Sequence, residues 1–132
     1  MSKHGAPPVR QQIDRRAIGA AAEQLAAQLL TAAGLCVLTR NYRRRLGELD
    51  LVARDGDVLV IVEVRTRSTD AYGGGAASID AIKRRRIVRA TQLLLQQRTE
   101  LARLPVRFDA VVVGALDSTT PRLEWIKHAF EA

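Results

Sequence analysis

Cysteine is nearly absent: Cys36 is the only one in 132 residues. A lone cysteine excludes an intramolecular disulfide and any cysteine-based zinc cluster. It fits a reducing compartment, taken here as the cytoplasm. Aromatic residues make up only 4% of the chain, so the core has to be built from Leu, Val, Ile and Ala. The longest strongly apolar run, Val58 to Val62, falls far short of the roughly 20 residues that a transmembrane helix needs. The N-terminal residues hold Lys3, Pro7, Pro8 and Arg10 but lack the apolar stretch of a secretory signal. Residues 1–13 therefore read as a flexible basic tail ahead of one domain over 14–132. No phosphate-cradling loop or dinucleotide fingerprint is present. His4 and His128 stand too far apart in sequence to suggest a local metal pair.

What remains is ordinary in bulk and unusual in charge. With 47% hydrophobic and 27% charged residues in 14.5 kDa, the chain is one globular domain. Lys and Arg number 21 against 14 Asp and Glu, a net charge of +7. Such an excess suits a polyanionic partner. Without a membrane segment, nucleic acid is the expected partner. The plainer alternative is an arginine-rich source proteome.

Hydrophobic periodicity sets the elements. From Asp14 to Ala33, Ile18, Ala22, Leu25 and Leu29 recur at helical spacing, with Asp14 as N-cap and Gly34 as stop. Leu35 to Thr39 reads as a short strand. Two runs with period two follow, Glu48 to Arg54 and Asp57 to Arg65, separated by Asp55-Gly56, a dipeptide favoured in two-residue hairpin turns. Ser68 to Ser78, with Gly73-Gly74-Gly75, reads as a loop. Ile79 to Arg98 is a second helix, Val106 to Gly114 a strand, and Arg122 to His128 a last strand. The order helix, three strands, helix, two strands predicts an α/β domain, a mixed central sheet flanked by helices.

The hairpin carries the chemistry. An Asp55-Gly56 loop pairs Arg54 with Asp57, Asp50 with Ile61 and Glu48 with Glu63. Alternation then puts Glu48, Asp50, Glu63 and Arg65 on one face, and Leu49, Leu51, Val60, Val62 and Val64 on the other. Three acids converging beside a long apolar strand need a positive partner, and oxygen ligands suit Mg²⁺ or Mn²⁺. The plainer reading is a solvated face neutralised by Arg65 and other arginines. Glu23, on the first helix, is a candidate fourth acid or simply a solvated one. Two basic clusters flank the hairpin: Arg43-Arg44-Arg45, and Lys83-Arg84-Arg85-Arg86 with Arg89 beyond. Both are expected to meet phosphates. Tyr42 and Tyr72 are the candidates for base stacking. Cys36 is expected to be a small buried hydrophobe, and Trp125 part of the core.

The string from Gly47 to Arg67, G-E-L-D-L-V-A-R-D-G-D-V-L-V-I-V-E-V-R-T-R, resembles the core of the YraN-like family of small bacterial proteins. That family is assigned to the PD-(D/E)XK nuclease superfamily, near the archaeal Holliday-junction resolvases. The likeness extends from about Arg16 to Phe130. It takes in Gly19 with Glu23, Arg40-Asn41-Tyr42-Arg43, Lys83 with Arg86-Ile87, Arg107-Phe108-Asp109 and His128-Ala129-Phe130.

The resemblance implies a restriction-endonuclease-like three-layer fold. It implies Mg²⁺ or Mn²⁺ on Asp50 and Glu63, with the Val64 carbonyl completing the site and Glu48 and Glu23 as accessory acids. The activity implied is hydrolysis of phosphodiesters in DNA, with branched or single-stranded forms among the candidate substrates. A homodimer is left open. Arg65 departs from the motif, which has lysine there. Arginine cannot deprotonate at neutral pH, so Arg65 offers charge and a bidentate fork rather than a base. Lys83 is read first as a phosphate contact and second as a displaced ammonium. The competing expectations are a nucleic-acid binder of the same fold that no longer cuts, and an interaction module whose basic face meets an acidic protein.

Overall fold

The computed structural model describes residues 14–67 and 79–132. The expected basic tail and the Tyr72–Gly75 loop lie outside the described residues. The first helix, α1 (Arg15–Ala32), starts as its sequence dictates: the Asp14 carboxylate accepts the Arg16 N–H at 2.9 Å, satisfying a donor that has no partner within the helix. It stops at Gly34, whose φ of +98° suits glycine. Ala22, Ala26, Ala27 and Leu30 form its buried face, and the small side chains let the helix lie close to the sheet.

Strands β1 (Cys36–Arg44), β2 (Gly47–Asp55) and β3 (Val58–Arg67) follow, then helix α2 (Ala81–Gln97), a 3-10 turn (Thr99–Leu101), and strands β4 (Val106–Gly114) and β5 (Arg122–Phe130). The five strands form one sheet in sequence order. Neighbours are antiparallel except β3 and β4, which run parallel. A parallel pair needs a crossover connection, and α2 lies within it. The fold is the mixed α/β sheet flanked by two helices that the element order predicts.

Each sheet face has its own apolar cluster. On one face, Ala22, Ala26 and Leu30 of α1 pack on Leu51, Val60, Val62, Val111 and Val113. On the other, Ile87, Ala90 and Leu94 of α2 pack on Val52, Leu59, Ile61, Phe108 and Ala110. A side chain of this size contributes about 1.5–3 kcal/mol on full burial, so β3, apolar on both faces, is the centre of the molecule. The Asp109 carboxylate, fully buried, joins β4 to β5. It accepts two bonds from the Arg107 guanidinium (2.9 and 3.0 Å), one from Trp125 Nε1 (2.9 Å) and one from the His128 N–H (3.1 Å).

Four expectations need correction. The strand expected at Leu35–Thr39 runs on to Arg44, because the polar residues Arg40–Arg44 pair with β2 along an edge. The hairpin loop is Gly56-Asp57, closed by Asp55 and Val58. Gly56 takes the positive φ, +58°, and glycine first in the loop is the preference of a type II′ turn. The register thus shifts by two residues, which keeps each side chain on its face near the turn. Leu49 and Leu51 do not share a face: Leu49 joins the α2 cluster and Leu51 the α1 cluster. Cys36 is exposed, since it opens an edge strand instead of entering the core.

Candidate functional site

The corrected register explains how the acids meet. Pairing of β2 with β3 runs from Asp55 and Val58 to Leu51 and Val62 and ends there. Beyond that point β2 remains paired with β1. Asp50 sits at the parting, and its Oδ2 accepts the Val64 N–H at 2.8 Å. Opposite Asp50 on β1, Asn41 adopts φ +53°, a local twist that interrupts regular alternation. The break carries Leu49 to the other face and leaves Asp50 next to Glu63.

Glu63 is 4% exposed. Its Oε1 pairs with Lys83 Nζ at 3.1 Å. Its Oε2 is buried with no hydrogen-bond partner among the described residues. Burial pushes the Glu63 carboxyl up to about 8, with the Asp50 carboxylate adding to the rise and the Lys83 ammonium opposing it. Asp50 is also raised, by burial first, against the pull of the Val64 N–H and Lys83. Lys83 is drawn down by burial, but Glu63, then Asp50 and Glu48, outweigh this and leave it above its ordinary value. It is therefore a permanent ammonium within the acid cluster.

The accessory acids stand at the rim. Glu48 pairs with Arg43 at 3.8 Å and is half exposed, so it does not face Glu63 as the original register implies. Glu23, on α1, is raised by burial first and by Asp50 second, while the hydrogen bond from Asn41 and the charge of Arg43 oppose the rise. Asp50, Glu63 and Lys83 thus act on one another, Glu48 acts on Asp50 and Lys83, and Glu23 feels Asp50 and Glu48. Among the described residues, no group of three or more His, Cys, Asp or Glu side chains is arranged to hold a metal by itself. The donor set is two carboxylates, one with an unpartnered buried oxygen. That fits Mg²⁺, which usually binds one or two carboxylates and retains several waters.

Arg65 lies two residues beyond Glu63, on the same face of β3 and half buried. It forms no ion pair with a described residue. The group touching the acid is Lys83, which reaches Glu63 while its side chain stays 40% exposed. Its position follows from α2: the Asp80 carboxylate caps the helix by accepting the Lys83 N–H at 2.8 Å, which fixes the first turn against the β2–β3 parting. The positive end of the helix dipole adds to the local field there.

The remaining basic residues divide by task. Arg44 lies over the Tyr42 ring at 4.1 Å and bonds Gln97 Oε1 at 3.1 Å. Arg84 bonds the Ile79 carbonyl at 2.7 Å and lies over Phe130. Arg45, Arg85 and Arg86, joined by Arg89, line a cleft of about 380 Å³, whose walls adjoin Glu48 and Lys83 along the chain. Tyr42 cannot offer a free stacking face: it is buried, its hydroxyl donates to Gln97 Oε1 at 2.7 Å, and Arg44 covers the ring. Tyr72 lies outside the described residues. Trp125 is half buried, its indole committed to Asp109.

Residues 22–113 match the model for an uncharacterised protein family, UPF0102. The chain is 49% identical over 115 residues to a UPF0102 protein of Pseudomonas aeruginosa strain LESB58, covering 86% of this chain and 92% of that one. A UPF0102 protein of Xanthomonas euvesicatoria pv. vesicatoria is 50% identical over 126 residues, 96% of this chain and 97% of its own. One from Ectopseudomonas mendocina strain ymp is 48% identical over 115 residues, 87% and 95% of the two chains.

Proposed function

The chain belongs to the uncharacterised protein family UPF0102, the YraN-like family within the PD-(D/E)XK nuclease-like superfamily, and from that premise we propose that it is a metal-dependent nuclease acting on DNA. The observation that carries this reading is the contact of Lys83 with Glu63 beside Asp50. The lysine ammonium that the hairpin motif lacks, with Arg65 in its place, would come from the first turn of α2.

Asp50 and Glu63 would hold the Mg²⁺ or Mn²⁺, with the Val64 carbonyl as a further oxygen. Bound there, the ion would activate water and offset charge developing on the phosphate. Asp50 is itself held by the Val64 N–H, so its carboxylate is oriented before any ligand arrives. Lys83 acts as a fixed charge and not as a base, because its surroundings hold the proton on. Its ammonium stabilises negative charge gathering at the scissile group. Glu48 and Glu23 tune the field from the rim. The arginine-lined cleft gives the phosphate backbone a place to lie.

Cleavage of several DNA forms by the purified chain in Mn²⁺ tests the reading. Asp50→Ala and Glu63→Ala are each expected to abolish cutting. Cutting that survives both changes places the chemistry elsewhere. Arg65 in the motif position favours a second reading, a binder of the same fold that does not cut. Its signature is DNA binding with no cleavage in any divalent ion.

A further inference from the structure

Leu46 and Ile82 are the large hydrophobic residues standing exposed among the described residues, at 50% and 63%. They are distant in sequence, on the β1–β2 turn and the first turn of α2, yet both line the same cleft. The other walls are Arg45, Arg85, Arg86 and Arg89. None of these four arginines forms a salt bridge with a described residue. No acid lines the cleft.

The juxtaposition is built into the backbone. A side chain on Gly47 would run into the backbone carbonyl of Arg86, so its absence seats the β1–β2 turn directly on α2. Both walls then lead into the acid cluster: Glu48 follows Gly47, and Lys83 follows Ile82.

The occupant follows from the two chemistries. Four guanidinium groups with no acidic partner among the described residues call for phosphates. Two apolar side chains between them call for a flat apolar face. An unpaired base offers that face, whereas a base inside a duplex has both faces stacked. Apolar side chains such as Leu and Ile contact bases where stacking is interrupted. A second copy of this chain would set these arginines against the same arginines, with no acid in the cleft to offset them.

We propose that this cleft binds an unpaired nucleotide, its flanking phosphates on Arg45, Arg85, Arg86 and Arg89 and its base against Leu46 and Ile82. The proposal rests on the nucleic-acid reading above and assigns the substrate form. The protein selects DNA with an unpaired base adjoining the acid cluster.

Fluorescence anisotropy of the full chain in EDTA, where no cutting occurs, tests it. The probes are a dye-labelled single-stranded oligonucleotide and a blunt duplex of the same length. The wild-type chain is expected to bind the single strand more tightly. Leu46→Ser with Ile82→Ser should lower the ratio of single-strand to duplex affinity about tenfold, the scale of losing about 1.4 kcal/mol of apolar contact. Both positions are exposed, and circular dichroism checks that the variant folds. Arg85→Ala with Arg89→Ala should weaken binding and flatten the salt dependence for the single strand by about 1.4 in slope, about 0.7 per phosphate contact.

An unchanged affinity ratio in the serine variant overturns the assignment and leaves the nuclease reading intact. A selective ratio without cleavage in Mn²⁺ supports the cleft and ends the nuclease reading. Absence of binding to either DNA overturns both. If sedimentation shows a dimer that the serine pair converts to monomer, the patch is a self-interface and the nucleotide assignment falls.

Discussion

Glu63 is an acid whose burial works against its charge. Its carboxyl stands at about 8 in the folded chain against an ordinary 4.5. The folded state therefore holds a proton that the unfolded chain releases between these values. Where the folded state binds more protons, stability falls as pH rises, so apo stability should decline through this window. Glu63→Gln removes the titration. In EDTA that variant should melt higher than the wild-type chain at about pH 9, and the gap should narrow at about pH 5. Parallel melting curves across the range would mean that Glu63 is not buried at the cost of its charge. Lys83 and Arg65 separate in the same way. Lys83→Ala should slow cleavage about a hundredfold, the scale of losing a preorganised charge at the reacting phosphate, while Arg65→Ala should slow it much less. The reverse ranking would return the role to the hairpin position.

At the scale of the element, Gly47 decides how the hairpin meets the helix. Gly47→Ala drives a methyl group at the Arg86 carbonyl, which is backbone and cannot swing aside. A loss of about 1–3 kcal/mol is expected, as for other overpacked sites. Chemical denaturation measures it, and a neutral outcome would show that the turn can lift from α2. The sequence marks Gly47 only as the residue before an acidic strand, because a close approach of backbone to backbone leaves no pattern along one chain. Periodicity and one cap were legible: Asp14 begins the first helix and the element order follows from the apolar runs, whereas Asp80, which caps the second helix, lies inside the span that reads as helical. The hairpin turn was legible to within two residues, since Asp55-Gly56 and Gly56-Asp57 both put glycine where φ is positive and preserve parity. The break at Asp50 was not legible. Strict alternation puts Leu49 and Leu51 together, and only the bond from the Val64 N–H to Asp50, with Asn41 at positive φ, reveals why they part. Lys83 was readable first as a phosphate contact and only second as a displaced ammonium, because its contact with Glu63 joins a strand to the crossover helix, and periodicity along one chain does not record how the two pack.

Over the whole molecule, the +7 charge is not a uniform coat. Arg45, Arg85, Arg86 and Arg89 gather at one cleft, and the acids Glu23, Glu48, Asp50 and Glu63 gather beside it. A phosphate backbone drawn into the cleft is carried toward like charge. On the proposed reading, the acids without a divalent ion resist what the arginines attract, and a bound ion would offset two of their charges. Asp50→Asn keeps the shape of the side chain and removes its charge. In EDTA at about pH 9, above the Glu63 value of about 8 so that Glu63 is largely ionised in both proteins, it should bind single-stranded DNA about fivefold more tightly than the wild-type chain, corresponding to about 1 kcal/mol for one unit charge a few ångströms away in water. Added Mg²⁺ should abolish or invert the advantage, because the wild-type carboxylate then holds a cation facing the phosphate. Anisotropy titrations with and without the ion measure both arms. Equal affinity of the two proteins in EDTA would mean that the DNA path runs over the arginines without reaching the acids, separating the cleft from the proposed site of cleavage.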